Sequence, residues 1–142
     1  MIRLTTPLGA EVLDLRAGDR VLLSGTIYTA RDEAHLKILE EGFPFDPAGA
    51  VIYHCGPVVD TGRNVIVAAG PTTSARMNGL TAPMMDAGVR APIGKGGMSA
   101  GVRKRWQAGR CILPLPAGVR FLRPRVWNLW IVIIRSWGWR RR

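Results

Sequence analysis

Arg20-Val21-Leu22-Leu23-Ser24-Gly25-Thr26-Ile27-Tyr28-Thr29-Ala30-Arg31-Asp32-Glu33-Ala34-His35 is the stretch that decides the fold. It opens with Val21, Leu22 and Leu23 in a row, a compact apolar run bounded by turn residues, as in a strand buried on both faces. The composition then changes: alanine, glutamate, leucine and lysine dominate Arg31 to Glu41, with Ala34, Ile38 and Leu39 near one face. That pattern predicts a helix, with Thr29 or Asp32 available to cap its start and Gly42 to end it. Strand, small and hydroxylated turn, helix is the repeating unit of an α/β domain.

Working outward, residues 2–15 read as short strands joined by a tight connection around Pro7-Leu8-Gly9. Downstream, Val51 to His54 and Asn64 to Ala69 are strand candidates, and Gly70-Pro71-Thr72-Thr73-Ser74 puts three hydroxyls where a helix N-cap is expected. Met77 and Leu80 give that helix an inward face, Pro83 interrupts or restarts it, and Gly88 closes it. Val89 to Ile93 then leads into Gly94-Lys95-Gly96-Gly97, with Ser99 placed to start a further helix.

The chain has 142 residues, a length for one domain that buries a core without disulfide staples. Its two cysteines, Cys55 and Cys111, form neither a metal spacing nor a disulfide framework, and the N-terminus lacks a secretory pattern, so a cytoplasmic location is expected. The longest apolar run near the C-terminus, Leu129 to Ile134, is far short of the roughly 20 residues a helix needs to cross a bilayer. Charge divides the chain in two. All ten acidic residues lie between Glu11 and Asp86, while all five tryptophans and eleven of the twenty Lys and Arg follow Val102. The net charge of +10 therefore belongs to the segment 103–142, and the near-neutral segment 1–102 gives no sign of seeking nucleic acid.

Three times in that front part the chain leaves a strand, passes through small and hydroxylated residues, and sets a cation near a helix start: Ser24 to Asp32, Gly70 to Arg76, and Ile93 to Gly97. Glycine admits a ligand to the backbone, and the helix N-terminus favours negative charge. Arg31, Arg76 and Lys95, with Gly25, Thr26 and Thr73 in the same loops, point to a small dicarboxylate. The arginine fork matches a carboxylate, and lysine adds a point charge. A phosphate-binding P-loop is excluded, because Lys95 is followed by glycine and not by Ser or Thr.

The strings SGTIYTARDEAH (24–35), IYHCGP (52–57), GPTTSARM (70–77) and IGKGGMS (93–99) resemble, in order, the beta subunit or C-terminal domain of class I iron–sulfur fumarases and L(+)-tartrate dehydratases. The resemblance covers most of residues 1–102 and leaves the choice between the two activities open. It implies a swivelling β/β/α layered domain that closes over a site held mainly by an alpha subunit, in a hetero-oligomer that reversibly hydrates a dicarboxylate. It also implies a [4Fe–4S] cluster ligated by the alpha subunit and not by this chain. Carried over by motif position, Arg31, Arg76 and Lys95 grip substrate carboxylates, and Thr72 stands near the carbon that loses its proton.

His35 reads as a capping or interface histidine within a helix, and Cys55 as a packed thiol. His54 and Cys55 are neighbours whose side chains leave opposite faces of a strand, a poor arrangement for a nucleophile and its base. After residue 102 the family's glycine-rich turn and Pro-Glu-Leu-Gly-Met segment are not seen. Ser136 to Arg141 can nevertheless be written in codons whose neighbouring frame reads Glu-Leu-Gly-Met-Ala-Glu. The segment 103–142 is accordingly expected to be a frame-shifted translation that leaves the domain incomplete at its C-terminus. The competing reading takes it as a basic, tryptophan-rich attachment to anionic membrane or nucleic acid on a non-catalytic binding protein. Pro114, Pro116 and Pro124, together with the lack of any amphipathic period, weigh against that reading.

Overall fold

The structure, a computed structural model, describes residues 1–16, 19–63, 65–107, 113–114 and 130–133. Strands β1 (Ile2–Thr5) and β2 (Arg20–Ser24) pair in parallel, Ile2 opposite Val21 and Thr5 opposite Ser24. Between them lies a 3-10 turn, Ala10–Asp14, where a second strand was expected. Within the turn only Val12 is buried, packing beside Leu8 into the core, so the alternating inward face that a strand needs is missing. The Glu11 carboxylate also accepts the Gly9 N–H at 2.8 Å and closes the turn.

A two-residue strand, β3 (Tyr28–Thr29), precedes helix α1 (Asp32–Glu41). Strand β4 (Val51–Tyr53) follows, then a hairpin of β5 (Val58–Asp60) and β6 (Val65–Ala68), helix α2 (Asn78–Asp86), strand β7 (Ala91–Gly94) and helix α3 (Ala100–Gln107). Strands β8 (Leu113–Pro114) and β9 (Trp130–Ile133) come from the basic segment. The central sheet runs β3-β4-β7-β8, all parallel, and a smaller sheet runs β1-β2-β9 with β9 antiparallel.

Strand β4 shows how the layers are made. Val51 and Tyr53 face a cluster with Leu4, Leu8, Val12, Val21, Leu23, Ala91 and Ile93, which lies between the two sheets. Ile52, pointing the other way, joins Ala30, Ile38, Ala50, Met84 and Val89 against α1 and α2. A strand covered on both faces needs an uninterrupted apolar run, which Val51-Ile52-Tyr53 supplies. Each such aliphatic side chain, fully buried, contributes on the order of 1.5–3 kcal/mol.

Several expected helix boundaries hold. Gly42, at φ 95°, ends α1 with its N–H donated to the Ile38 carbonyl at 2.9 Å. Gly88, at φ 120°, donates to Met85 at 3.0 Å and turns the chain out of α2. Ser99 starts α3, its Oγ accepting the Val102 N–H at 3.4 Å, and Val102 packs with Met85.

The side-chain caps expected for α1 and α2 do not form. Arg31 occupies the N-cap of α1, so Asp32 already lies within the helix, and its carboxylate serves two arginines instead. The row of hydroxyls caps nothing either: a 3-10 turn, Ser74–Met77, intervenes before α2, and the Ser74 hydroxyl is taken by His54. Pro83 does not interrupt α2. Its ring is exposed, the missing donor forfeits only the bond to Gly79, and buried Met84 and Met85 anchor the turn that follows.

The hairpin partner β5 went unseen because Val58 and Val67 are 60% and 65% exposed, and a strand with no covered face has no inward period to read. Helix α3 crosses the compositional boundary at Val102, and Arg105 ties it to Asp86 of α2 at 2.5 Å. Apart from α3, β8 and β9, the basic segment lies outside the described residues. Among the described residues no helix is long and apolar enough to cross a membrane.

Candidate functional site

Three parallel strands, β3, β4 and β7, deliver their carboxyl ends to one rim, the edge of an α/β sheet where ligands ordinarily bind. Arg31 follows β3, His54-Cys55-Gly56 follow β4, and Lys95 follows β7. The hydroxyl loop is laid across these ends by main-chain bonds. The Thr72 N–H donates to the His54 carbonyl at 2.7 Å, the Ser74 N–H to the Lys95 carbonyl at 2.8 Å, and Thr73 bridges Lys95 in parallel. Cys55 bridges Pro71 in antiparallel fashion. Loops far apart in sequence are thereby fixed side by side.

Two of the three expected cations converge. Arg76 donates through Nε to Asp32 Oδ1 at 3.2 Å, with Nη2 at 3.0 Å from Oδ2, and Arg31 Nε stands 3.8 Å from the same Oδ2. Desolvation pushes the Asp32 carboxyl upward, but its own backbone N–H, Arg76 and Arg31 outweigh it and hold it below the usual carboxylate range. The guanidinium groups are half exposed, so this triad orients side chains more than it stabilises the fold. Arg31 lies across Gly56, where a β-carbon would come within 2.6 Å of its Cδ. Glycine is what lets the arginine take that course.

Lys95 is half buried beside Thr73, and Thr72 is half buried above His54. The Thr72 hydroxyl has no hydrogen-bond partner among the described residues. The start of the loop after β2 is tied to the end of β1: Gly25 and Thr26 are held by Thr6, whose hydroxyl donates to the Thr26 carbonyl at 2.8 Å. On the rim Arg31 and Arg76 are exposed and Lys95 is half buried. A cavity of about 490 Å³ lined by residues including Ile27, Lys37 and Phe45 contains none of the three cations.

Beneath the rim lies a polar layer. His35, His54 and Ser74 are 1%, 1% and 4% exposed, and His54 Nδ1 meets Ser74 Oγ at 3.0 Å. His35 Nδ1, facing the Arg31 carbonyl at 2.8 Å, carries the hydrogen, since a carbonyl only accepts. The two rings meet edge to face, centroids 5.4 Å apart. Burial pushes the His54 imidazole down to about 3, helped by His35, and burial also lowers His35. Both rings are therefore neutral at physiological pH. Cys55 is buried in the core, its thiol pushed up by burial, as a packed thiol should be.

Among the described residues no three His, Cys, Asp or Glu side chains gather as a metal site, and Cys55 is sealed between the sheets. These residues do not fit an iron–sulfur cluster. What the rim offers is positive charge and hydrogen-bond donors.

The sequence reading missed Asp32 as the carboxylate that joins the arginines, Gly56 as the gap beneath Arg31, and the His54–Ser74 pair. Asp32, next to Arg31, and Ser74, in the row of hydroxyls, carry a local signal, but one for a helix cap.

Comparison with known proteins agrees with the motifs. The family model described as Fumarase C-terminus matches residues 1–113. The putative L(+)-tartrate dehydratase subunit beta of Methanocaldococcus jannaschii is 44% identical over 117 residues, covering 76% of this chain and 60% of that protein. The L(+)-tartrate dehydratase subunit beta of Escherichia coli strain K12 is 42% identical over 101 residues, 67% of this chain and 50% of that protein. A putative fumarate hydratase class I of Geobacillus stearothermophilus is 42% identical over 103 residues, 69% of this chain and 20% of that protein. The matched region thus spans less than two thirds of these relatives. On motif order, match length and identity together, the chain belongs to the fumarase C-terminal family.

Proposed function

We propose that this chain is the beta-type part of a cytoplasmic hydro-lyase that reversibly adds or removes water on a small dicarboxylate, of the malate/fumarate or tartrate/oxaloacetate type. The observation that carries the proposal is the convergence of Arg31 and Arg76 on one carboxylate, with Lys95 fixed beside the same hydroxyl loop. Asp32 occupies a place where a substrate carboxylate could share the same donors, since each guanidinium has five N–H groups. In this reading Arg31, Arg76 and Lys95 bind and orient the two carboxylates, with Gly25, Thr26 and Thr73 in the same loops contributing hydroxyls and open backbone. Thr72 is assigned to the carbon that loses its proton. Its hydroxyl is a weak base alone, so the proton must be drawn on by a group outside this chain.

The exposed arginines of the rim support a site completed by a partner. In this proposal an alpha subunit supplies the [4Fe–4S] cluster, a Lewis acid for the substrate hydroxyl, and the layered domain swivels to close over it. Production of the chain together with an alpha subunit of this class, followed by absorbance assays with malate, fumarate and tartrate, tests the reading. Turnover of at least one diacid is expected, and none under any pairing would remove it.

The composition after Val102 supports a second proposal, that the chain leaves its proper reading frame there. Sequencing the DNA tests it, and a neighbouring frame without the Glu-Leu-Gly-Met segment would dismiss it.

A further inference from the structure

We infer that the buried His54–Ser74 pair is a positioning device for the site, setting the Thr72-Thr73 loop against the ends of β4 and β7; this rests on the hydro-lyase reading above. The pair sits where the three loops meet. The His54 backbone accepts from Thr72 at 2.7 Å and donates to the Ile93 carbonyl at 2.7 Å, while its ring holds Ser74 at 3.0 Å. Ser74 in turn donates its N–H to the Lys95 carbonyl. Across the ring contact, His35 reaches the Arg31 carbonyl at the start of α1. One polar layer therefore touches the backbone of Arg31, Thr72 and Lys95.

Main-chain bonds lay that loop across the strand ends, and the side-chain bond between His54 and Ser74 locks it against the layer beneath. A buried imidazole and hydroxyl each lose hydration that only their mutual bond replaces, so one geometry is strongly preferred. The fold also makes room for the pair: a β-carbon on Gly94 would overlap Ser74 Oγ and approach His54 Nδ1 to 3.1 Å. Neither side chain reaches the surface, so the pair acts through Thr72 and Lys95 and not on substrate.

The test uses the full chain assembled with its alpha partner. Ser74→Ala should lower kcat about tenfold for the preferred diacid while KM stays within about threefold, because the hydroxyl loop shifts and the cationic grips remain. His54→Asn, whose side-chain amide sits near the place of Nδ1, should keep kcat within about threefold of wild type. Wild-type kcat in Ser74→Ala, with only a lowered melting temperature, overturns the inference and makes the pair a satisfied core contact. Should Ser74→Ala fail to fold, His54→Leu against His54→Asn is read the same way, equal kcat in the two overturning the inference. Absence of turnover in the wild-type assembly overturns the hydro-lyase reading itself, and this inference with it, whereas active wild type with an unaffected Ser74→Ala removes the inference alone.

Discussion

The loops after β2 and β7 look alike in sequence, each leaving a strand through glycine toward a cation, yet they end in different roles. After β2, Gly25 takes φ 95° and presses against Thr6, and its contacts stay within the small sheet's edge. After β7, Gly94 stays within an ordinary strand but leaves space filled by Ser74 and His54, and Lys95 emerges among the hydroxyl loop. Glycine in both loops makes room for protein atoms first. What separates them is the parallel sheet: the first loop reaches the rim only at its far end, where Arg31 follows β3, whereas Lys95 directly follows a strand of that sheet.

The largest effect should come from filling the space at Gly94. Gly94→Ala drives a methyl into Ser74 Oγ, with His54 Nδ1 and Ser74 Cβ close behind and both side chains buried, and overpacking of this kind costs roughly 1–3 kcal/mol or more. A melting temperature lowered by several degrees with turnover lost is the expected outcome. A variant as stable and active as wild type would show that the polar layer is not tightly packed. Arg76→Ala comes next. Losing a charge-assisted contact should weaken kcat/KM by about 1.5–3 kcal/mol, roughly ten- to a hundredfold, with little change in stability because the Arg76–Asp32 pair is half exposed. Unchanged kinetics would take Arg76 out of the site.

The other loop supplies the contrast. Gly25→Ala forces a side chain into positive φ and against Thr6, costing about 1–3 kcal/mol of stability. If Gly25 serves only the fold, KM for the diacid in the folded variant should stay within about twofold. A KM raised as much as in Arg76→Ala would bring the first loop into the site and erase the distinction drawn here.

How much of this was legible follows from what each feature depends on. Strands β2 and β4 and helix α1 announce themselves because burial imposes a local period or an apolar run, as in Val21 to Leu23 and Val51 to Tyr53. Motif order picks out Arg31, Arg76 and Lys95, of which the structure brings Arg31 and Arg76 to one carboxylate. The 3-10 turn at Ala10 was not legible, since Leu8 and Val12, four residues apart, fit one face of a strand as well as of a helix, and the core that receives them is assembled by distant strands. Nor were the uses of Asp32 and Ser74, because each had a plausible local role as a cap and was claimed by a partner far along the chain, Arg76 or His54. Local chemistry proposes; the sheet's register decides which partner is nearer.

Mild acid offers the finest separation of the two loops. His54 is held down to about 3 by burial, against an ordinary value near 6.5 that it regains on unfolding. Between those values the unfolded chain binds a proton that the folded chain refuses, so stability is full above about pH 6.5 and falls as pH drops. One such group gives a slope of at most about 1.4 kcal/mol per pH unit, with His35, also lowered, adding in the same direction. Carboxylates such as Asp32, held low by their partners, also lose stabilisation in acid, but only nearer their own range below about pH 4. Denaturant midpoints measured from pH 7 to 5 should therefore decline in wild type and decline less in His54→Asn. Gly25→Ala, whose loop is held by Thr6 and backbone alone, should shift every midpoint by the same amount and leave the slope intact. A wild-type midpoint flat across that range would mean that the imidazole beneath the rim is open to protons, and with them to water, so that the polar layer could not fix the loop above it.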